Sequence, residues 1–239
     1  INCAKKCLKF DYPKNKYEII IGDDSNKKRI SREIDSFSKK HKLVKITRRG
    51  NNEGYKAGNL NHMLKYSKGE IIVIFDSDFL PDADFLRRIV APFVHNPRVP
   101  AVQARWKYIN PFQNLISTLG ATIGFVIHQL ALPFMRRHSG HSFLCGSAEA
   151  VRKDTLLKLG GWEDGSLTED VEYSYRLIKN GHKVAYLEEL ECAGEVPYRS
   201  KDLYRQQMRW AYGVISTFKK HIKDIISAKT FSFKEKLFV

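Results

Sequence analysis

The stretch EIIVIFDSDF at residues 70–79 constrains the fold of this chain more than any other feature. Five apolar residues, most of them β-branched, run into Asp76 and Asp78, and Pro81 follows in a turn. A run of this length that ends in a turn predicts a buried parallel strand. Because ligands in open α/β sheets bind beyond the carboxyl ends of the strands, we expect both acids at such an edge, where they can share one hard divalent cation. A helix N-cap beside a solvated turn acid is the alternative that this stretch alone leaves open.

Composition sets the class of protein and its partners. The chain has 239 residues, enough for one sizeable α/β domain, and 41 Lys and Arg against 26 Asp and Glu give a net charge of +15. Such an excess is compatible with an anionic partner, which could be a membrane face, a phosphorylated ligand or nucleic acid. On charge alone, an evenly solvated basic surface is equally compatible. We predict no nucleic-acid partner, because the basic residues are scattered and the aromatic ones lie in apolar runs. The four cysteines form no zinc pattern, which favours reduced thiols in the cytosol.

The segment 115–134 is apolar and close to the roughly 20 residues that span a bilayer. His128, Gln129 and Pro133 interrupt it, so we predict a buried or interface-lying helix rather than a membrane span.

Two other segments repeat the sequence pattern of a strand followed by a polar turn. The predicted strand 17–21 runs into Asp23 and Asp24, which either start the helix 30–40 or accept hydrogen bonds from a base or ribose. The glycine-rich basic loop 48–59 leads to a predicted helix 60–66, where backbone N–H groups and Lys56 suit a phosphate. A solvated basic loop is the alternative.

The second half of the chain carries three further candidates. Residues 143–147, with Cys145, Gly146 and Ser147, predict a strand end of small residues that a bulky ligand can approach, followed by a helix 151–159. Ser166 to Glu169 has the spacing of a capping box, yet Glu169 and Asp170 together exceed what a cap requires, so one is a candidate general base. The helix dipole would lower the pKa of that acid, and an apolar wall or other acids would raise it.

The helix predicted over 202–218 places Gln206, Arg209 and Trp210 on one stripe. A planar cation, an amide and an indole can line a phosphate and a sugar together, and a half-buried interface stripe is the alternative.

Taken in order, these motifs resemble the processive family-2 glycosyltransferases, the cellulose synthase-like group. The resemblance covers residues 11–212 and rests on an acid pair, D-x-D, T-E-D and Q-x-x-R-W, here Asp23-Asp24, Asp76-Ser77-Asp78, Thr168-Glu169-Asp170 and Gln206 to Trp210. The segments 56–61 and 145–147 also look like the family's. Arg105-Trp106 with Asn110, and residues 193–197, are similar to the β-mannan synthase branch.

The resemblance implies a GT-A fold, a Rossmann-like mixed α/β sheet flanked by helices, with a nucleoside-diphosphate sugar donor, inversion at the anomeric carbon and Mg²⁺ or Mn²⁺. It implies the following roles: a catalytic Asp170 beside Glu169; a metal held by Asp76 and Asp78; donor contacts from Asp23, Asp24, Lys56, Asp76, Asp78 and Arg209; acceptor contacts from Cys145, Gly146, Ser147, Gln206 and Trp210.

The resemblance also implies an organisation. We expect one catalytic domain over 1–239: a nucleotide-sugar half at 1–100, an acceptor half at 101–225, and the start of a membrane-proximal segment at 226–239. The family's first strand and transmembrane helices are expected outside this sequence, with the catalytic domain on a membrane and facing the cytoplasm. The expected reaction moves a hexose, from UDP rather than GDP, to a growing polysaccharide. A lipid acceptor of the ceramide type, or a non-catalytic donor-binding scaffold, is the alternative.

Overall fold

A computed structural model describes residues 1–227 and residue 236. The predicted membrane-proximal segment 226–239 therefore lies mostly outside the described residues. The helices are α1 (Asn2–Cys7), α2 (Lys28–Lys39), α3 (Tyr55–Leu64), α4 (Phe85–His95), α5 (Leu115–Phe125), a π-helix (Val126–Ala131), α6 (Leu132–Ser139), α7 (Lys153–Lys158), α8 (Glu169–Lys179) and α9 (Ser200–Ser227). The strands are β1 (Ile19–Gly22), β2 (Val44–Thr47), β3 (Ile71–Ile74), β4 (Ala101–Tyr108), β5 (Glu149–Arg152) and β6 (Val184–Gly194).

The strands form two sheets. β1 and β2 pair in parallel, and the other four take the order β3-β5-β4-β6. In the larger sheet β4 and β6 are parallel, whereas β5 runs antiparallel to both β3 and β4. The mixed α/β sheet that we predicted is therefore present.

The predicted parallel pairing of β3 is wrong. This strand lies at the edge of its sheet, pairs antiparallel with β5, and its first three residues are half-buried. A continuous apolar run reports that a strand is largely shielded from water, but it carries no information on which way its neighbour runs. The strand still delivers residues 76–78 to its carboxyl end, as predicted.

Helices cover both faces of the larger sheet. One core packs α4, through Phe85 and Ile89, against β4, β5 and β6. The other packs α3, α7 and α8 on the opposite side, with Leu156, Tyr173 and Leu177 fully buried. Burial of a large apolar side chain contributes about 1.5–3 kcal/mol, so these two layers fix the helices that carry the site.

Three predicted boundaries differ from the structure. Residues 143–147 form an irregular buried segment rather than a strand end, because Gly146 and Ala148 adopt positive φ angles of 82° and 51° that a strand does not allow. The predicted helix 151–159 begins only at Lys153, since its first two residues belong to β5. The helix predicted at 60–66 begins earlier, at Tyr55, so Lys56 lies in its first turn instead of in a loop.

The predicted capping box is absent. Thr168 is the N-cap of α8, and its side chain makes no capping hydrogen bond. Its hydroxyl lies 3.5 Å from the hydroxyl of Thr217 on α9. Glu169 and Asp170 are both buried in the first turn, so neither is a solvated capping acid.

The helix α5, the π-helix and α6 form one apolar rod over Leu115–Ser139. By length and composition it could span a membrane, yet it packs lengthwise on the domain, with Gly120 against Val196 and Leu203, and Gly124 against Tyr108. Only 28% of its most apolar stretch is buried. It is thus a surface helix with small residues inward, and its predicted placement at an interface stays a prediction.

Candidate active site

Lys56 joins segments that are far apart in the sequence. From the first turn of α3, its Nζ lies 2.8 Å from Oδ1 of Asp76 and 3.3 Å from Oε1 of Glu169. The same Nζ donates to the carbonyl oxygen of Gly146 at 2.5 Å. The end of β3, the start of α8 and the 143–147 segment therefore meet at one ammonium group.

Asp170 lies in the same cluster. A Cβ placed on Gly146 would be 3.0 Å from Oδ2 of Asp170 and 3.1 Å from Nζ of Lys56. Position 146 therefore requires glycine for two reasons, the close approach of these side chains and the positive φ. The D-x-D stretch and the T-E-D stretch lie in one cleft, as the resemblance requires.

The pKa of Asp170 is raised to about 7. Burial of the carboxyl is the largest cause, the neighbouring Glu169 adds to it, and Lys56 opposes it. These effects outweigh the helix N-terminus, which by itself would lower the value. A carboxyl that titrates near neutral pH is suited to accept a proton in a reaction at neutral pH.

The pKa of Lys56 is raised, although burial alone would lower it. Burial lowers it, but Asp76, Glu169 and Asp170 together raise it well above its usual range. Lys56 is therefore a permanent cation in a cleft of acids, and it can move from a carboxylate to a phosphate without losing its charge.

Asp76 and Asp78 fit a divalent cation. The Asp76 side chain is 41% exposed, while burial, followed by repulsion from Asp76 and Glu195, raises the pKa of Asp78. In the described part of the chain, Asp78 has no ion-pair partner, so a cation would relieve this repulsion. The described residues contain no cluster of three or more His, Cys, Asp or Glu side chains that closes around a metal. Two carboxylates with open positions are the arrangement by which Mg²⁺ is held between a protein and substrate phosphates.

Asp23 and Asp24 have different surroundings. The Asp23 side chain is 1% exposed, and it accepts hydrogen bonds from the backbone of Ser25 at 3.0 Å and from Nε of Arg48 at 2.7 Å. Although burial raises its pKa, these hydrogen bonds lower it to about 2. Asp24 pairs with Arg49 at 2.7 Å but is partly exposed. Asp24 is therefore the acid of this pair that a ligand can reach.

Ser147 faces the D-x-D turn rather than the cleft. It is fully buried, its hydroxyl accepts from the backbone N–H of Asp76 at 2.9 Å, and its carbonyl accepts from Nε1 of Trp106 at 2.8 Å. Cys145 is half-buried. Through Ser147, the predicted acceptor residues therefore hold the backbone that carries Asp76.

The three residues of the predicted stripe on α9 have different surroundings in the structure. Trp210 lies 6.3 Å from Trp106, ring centre to ring centre, and Trp106 stacks on His128 at 4.7 Å. Arg209 is exposed and donates to the carbonyl of Leu167 at 3.4 Å, one residue before Thr168. Gln206 is half-buried beside Gln207. α9 therefore brings an indole to an aromatic wall and a cation to the start of α8.

Comparison with protein families gives a match over residues 2–213 to the family described as "Glycosyltransferase like family 2". The chain belongs to this glycosyltransferase family. Among curated relatives, glucomannan 4-beta-mannosyltransferase 7 of Arabidopsis thaliana is 32% identical over 241 residues, which is 97% of this chain and 43% of that protein. The probable glucomannan 4-beta-mannosyltransferase 6 of Oryza sativa subsp. japonica is 32% identical, over 95% of this chain and 41% of that protein.

These relatives confirm the predicted cellulose synthase-like, β-mannan synthase-like resemblance. This family-2 chain spans about two fifths of the length of the curated relatives that it matches.

Solved structures confirm the predicted GT-A fold. The mannosyltransferase PcManGT from Pyrobaculum calidifontis, solved with GDP-Man and Mn2+, superposes with a TM-score of 0.75 at 21% identity, over 98% of this chain and 63% of that one. TarS 1-349 from S. aureus, solved with UDP-GlcNAc, gives a TM-score of 0.63 at 16% identity, over 98% of this chain and 64% of that one.

Sequence reasoning missed two residues of this candidate site. Glu149 is a buried acid on β5 that contacts the 143–147 segment, and His128 stacks on Trp106. A signal for Glu149 was present, because a single acid among Ala148, Ala150 and Val151 interrupts an otherwise apolar run. His128 carried none, since a histidine within an apolar helix is compatible with many surroundings.

Proposed function

We propose that this chain is the catalytic domain of an inverting glycosyltransferase that transfers a hexose from a nucleoside-diphosphate sugar to a growing polysaccharide. One observation carries the proposal: Lys56 contacts both Asp76 of the D-x-D stretch and Glu169, beside the buried Asp170. A leaving-group site and a candidate base thus share one cleft, which is what a single displacement requires.

In this proposal Asp170 takes the proton of the acceptor hydroxyl. The freed oxygen bonds to the anomeric carbon from the face opposite the diphosphate, and the carbon–oxygen bond to the diphosphate breaks with its electron pair on the leaving group. Lys56 changes partner from Asp76 to the diphosphate, and Glu169 keeps that ammonium beside the cleft. A Mg²⁺ or Mn²⁺ ion held by Asp76 and Asp78 would neutralise the charge on the leaving diphosphate.

We propose that Asp24, rather than the internally bonded Asp23, contacts the base or ribose of the donor. The sequence alone favoured UDP over GDP. The mannosyltransferase names of the relatives, and the GDP-Man bound to PcManGT, support GDP-mannose as the donor of this chain.

The acceptor's terminal sugar is proposed to lie against Trp106 and Trp210, with the buried His128 stacked behind Trp106, since sugars present apolar faces to aromatic rings. Arg209 and Gln206 lie on α9, as Trp210 does. They are proposed to bind the donor phosphate and the acceptor, respectively. Cys145 and Gly146 are proposed to border the cleft.

The test is turnover with a panel of radiolabelled nucleotide sugars and oligosaccharide acceptors, with Mn²⁺, Mg²⁺ or EDTA. We expect product from GDP-mannose, cation dependence, and the anomeric configuration opposite to that of the donor. Donor binding without turnover on any acceptor would favour a scaffold, and transfer only to a membrane lipid would favour the lipid-acceptor alternative.

We further propose that the domain rests on the cytosolic leaflet of a membrane through the outer face of Leu115–Ser139. Along this face run exposed apolar side chains at helical spacing: Leu115, Leu119, Phe125, Val126, Leu130 and Phe134. A helix with apolar residues outward and a basic last turn fits the headgroup boundary, and the net charge of +15 matches anionic lipids.

The double substitution Leu119→Ser and Phe125→Ser should lower the affinity for vesicles containing phosphatidylserine by about tenfold, because two half-exposed apolar side chains no longer enter the lipid. Co-sedimentation with vesicles measures this. Val94→Ser, which removes an apolar side chain that is 78% exposed on α4, is the control and should bind as the unmodified chain does. Equal binding of all three proteins would exclude this face as the membrane contact.

A further inference from the structure

Glu149 is a buried acid at the centre of the larger sheet. It is 1% exposed, it is the first residue of β5, and it pairs with Ile74 of β3 and with Gln103 of β4. Burial of a carboxyl is unfavourable unless its surroundings compensate for the lost water. The compensating contacts identify what Glu149 does.

Glu149 and Gln103 bind two consecutive backbone N–H groups, and we call this pair the loop clamp. Oε1 of Gln103 accepts from the N–H of Cys145 at 2.7 Å, and Oε2 of Glu149 accepts from the N–H of Gly146 at 2.8 Å. The amide nitrogen of Gln103 donates to the carbonyls of Ala104 and Ser147 at 2.7 and 3.0 Å. Side chains of the adjacent strands β4 and β5 thus hold the segment 143–147, which is not itself part of a strand.

The loop clamp determines the position of Gly146. Its N–H is bound by Glu149 while its carbonyl accepts from Lys56. Oδ2 of Asp170 lies where a side chain on residue 146 would begin, 3.0 Å from an added Cβ. A shift of this one residue would therefore move Lys56 relative to the D-x-D stretch and open a gap beside Asp170.

Glu149 also adds charge to the cleft. Asp170 and Glu169 of α8 and Lys56 of α3 act on it, and it acts in turn on Tyr173 of α8 and on the thiol of Cys145, with Asp76 beyond Lys56. Burial first, and then Asp170, raise the pKa of Glu149 to about 8, against the effects of Lys56 and the N–H of Gly146. The two carboxyls therefore lose their protons one after the other, as a pair.

We propose that Glu149 is a positioning residue for the proposed sugar transfer, which holds Gly146 against Lys56 and Asp170 and shares the charge of the buried cleft with Asp170. The inference rests on the proposed function for its catalytic consequence, but the clamp itself can be tested without turnover.

The first measurement is hydrogen exchange at the amide of Gly146, in the unmodified chain and in Glu149→Gln and Glu149→Ala. Glutamine retains an acceptor oxygen of the same reach, so protection should persist in that variant, whereas alanine should lose it by at least about tenfold. Unchanged protection in Glu149→Ala would overturn the clamp.

The second measurement is the pH profile of kcat/KM. In the unmodified chain the rise with pH should extend over both ionisations, near 7 and 8, whereas in Glu149→Gln it should be complete about one pH unit lower. Glu149→Ala should lower kcat by about 100-fold through misplacement of Gly146 and should also raise the donor KM, because Lys56 moves with Gly146, and glutamine should restore most of both. A purely structural role would leave the pH profile of Glu149→Gln unchanged, and that result would overturn the proposal.

Glu33→Gln is the matched control, because Glu33 is an exposed acid on α2 whose ion pair within the described residues is with Arg29. It should match the unmodified chain in both measurements. If the unmodified chain transfers no sugar, the proposed function is wrong, and hydrogen exchange together with carboxyl titration by NMR still decides the clamp.

Discussion

Asp170→Asn is expected to lower kcat by about 1,000-fold, because an amide of nearly the same shape cannot take a proton from the acceptor hydroxyl. The substitution removes the carboxyl whose pKa is raised to about 7 and leaves the backbone of α8 in place. Initial rates at saturating donor and acceptor measure the effect. In the unmodified chain the rate should fall as the pH drops through about 8 and 7, since protonation of the coupled Glu149 and Asp170 pair removes the base.

Two controls separate lost chemistry from lost structure. Asp202→Asn changes an exposed acid in the first turn of α9, a position matched to that of Asp170 in α8, and should retain full activity. Asp170→Asn should bind the donor normally and unfold at a higher temperature than the unmodified chain at pH 8. The sign follows from linkage: a carboxyl whose pKa is raised by folding destabilises the folded state as the pH rises past its unfolded value, and asparagine removes that cost. Retention of more than a tenth of the activity would exclude Asp170 as the base.

Asp78→Asn should lower kcat/KM by about 100-fold or more, because half of the proposed cation site is lost and with it several kcal/mol of stabilisation of the leaving diphosphate. The variant should also lose the additional thermal stabilisation that Mn²⁺ gives to the donor complex. Differential scanning fluorimetry with donor, with cation and with both measures this coupling separately from turnover.

The unliganded variant provides a further readout. Burial and repulsion from Asp76 and Glu195 act against the ionised Asp78, so Asp78→Asn should be at least as stable as the unmodified chain without ligand. Asp82→Asn, an exposed acid four residues later, should leave the cation response unchanged. A cation response of normal size in Asp78→Asn would place the ion elsewhere.

Local patterns in the sequence were enough to locate most elements and the ends at which ligands could bind. The apolar runs at 17–21 and 70–75 each correspond to a strand, and the acids after them lie where the strands end. The T-E-D stretch was correctly placed at the start of a helix. These features follow from residue spacing and turn chemistry, which depend on neighbours only a few positions away.

The direction of β3 and the true start of β5 were not accessible from such patterns. An apolar run indicates burial, but its partner strand lies 75 or more residues further along the chain, at 149–152. Glu149 and Lys56 are still further apart in the sequence, so neither residue's spacing reveals that they meet through Gly146.

What the sequence determined by itself was the list of reactive groups and the ends of the elements that carry them, because those depend on short-range geometry. The tertiary structure alone decided which acid is solvated and which is buried: Asp23 was closed off by Arg48, while Asp170 was packed beside Glu169 with its pKa near neutrality. The physical reason is that the free energy of a charge depends on its burial and on the charges within a few ångströms, and folding brings those together from across the chain.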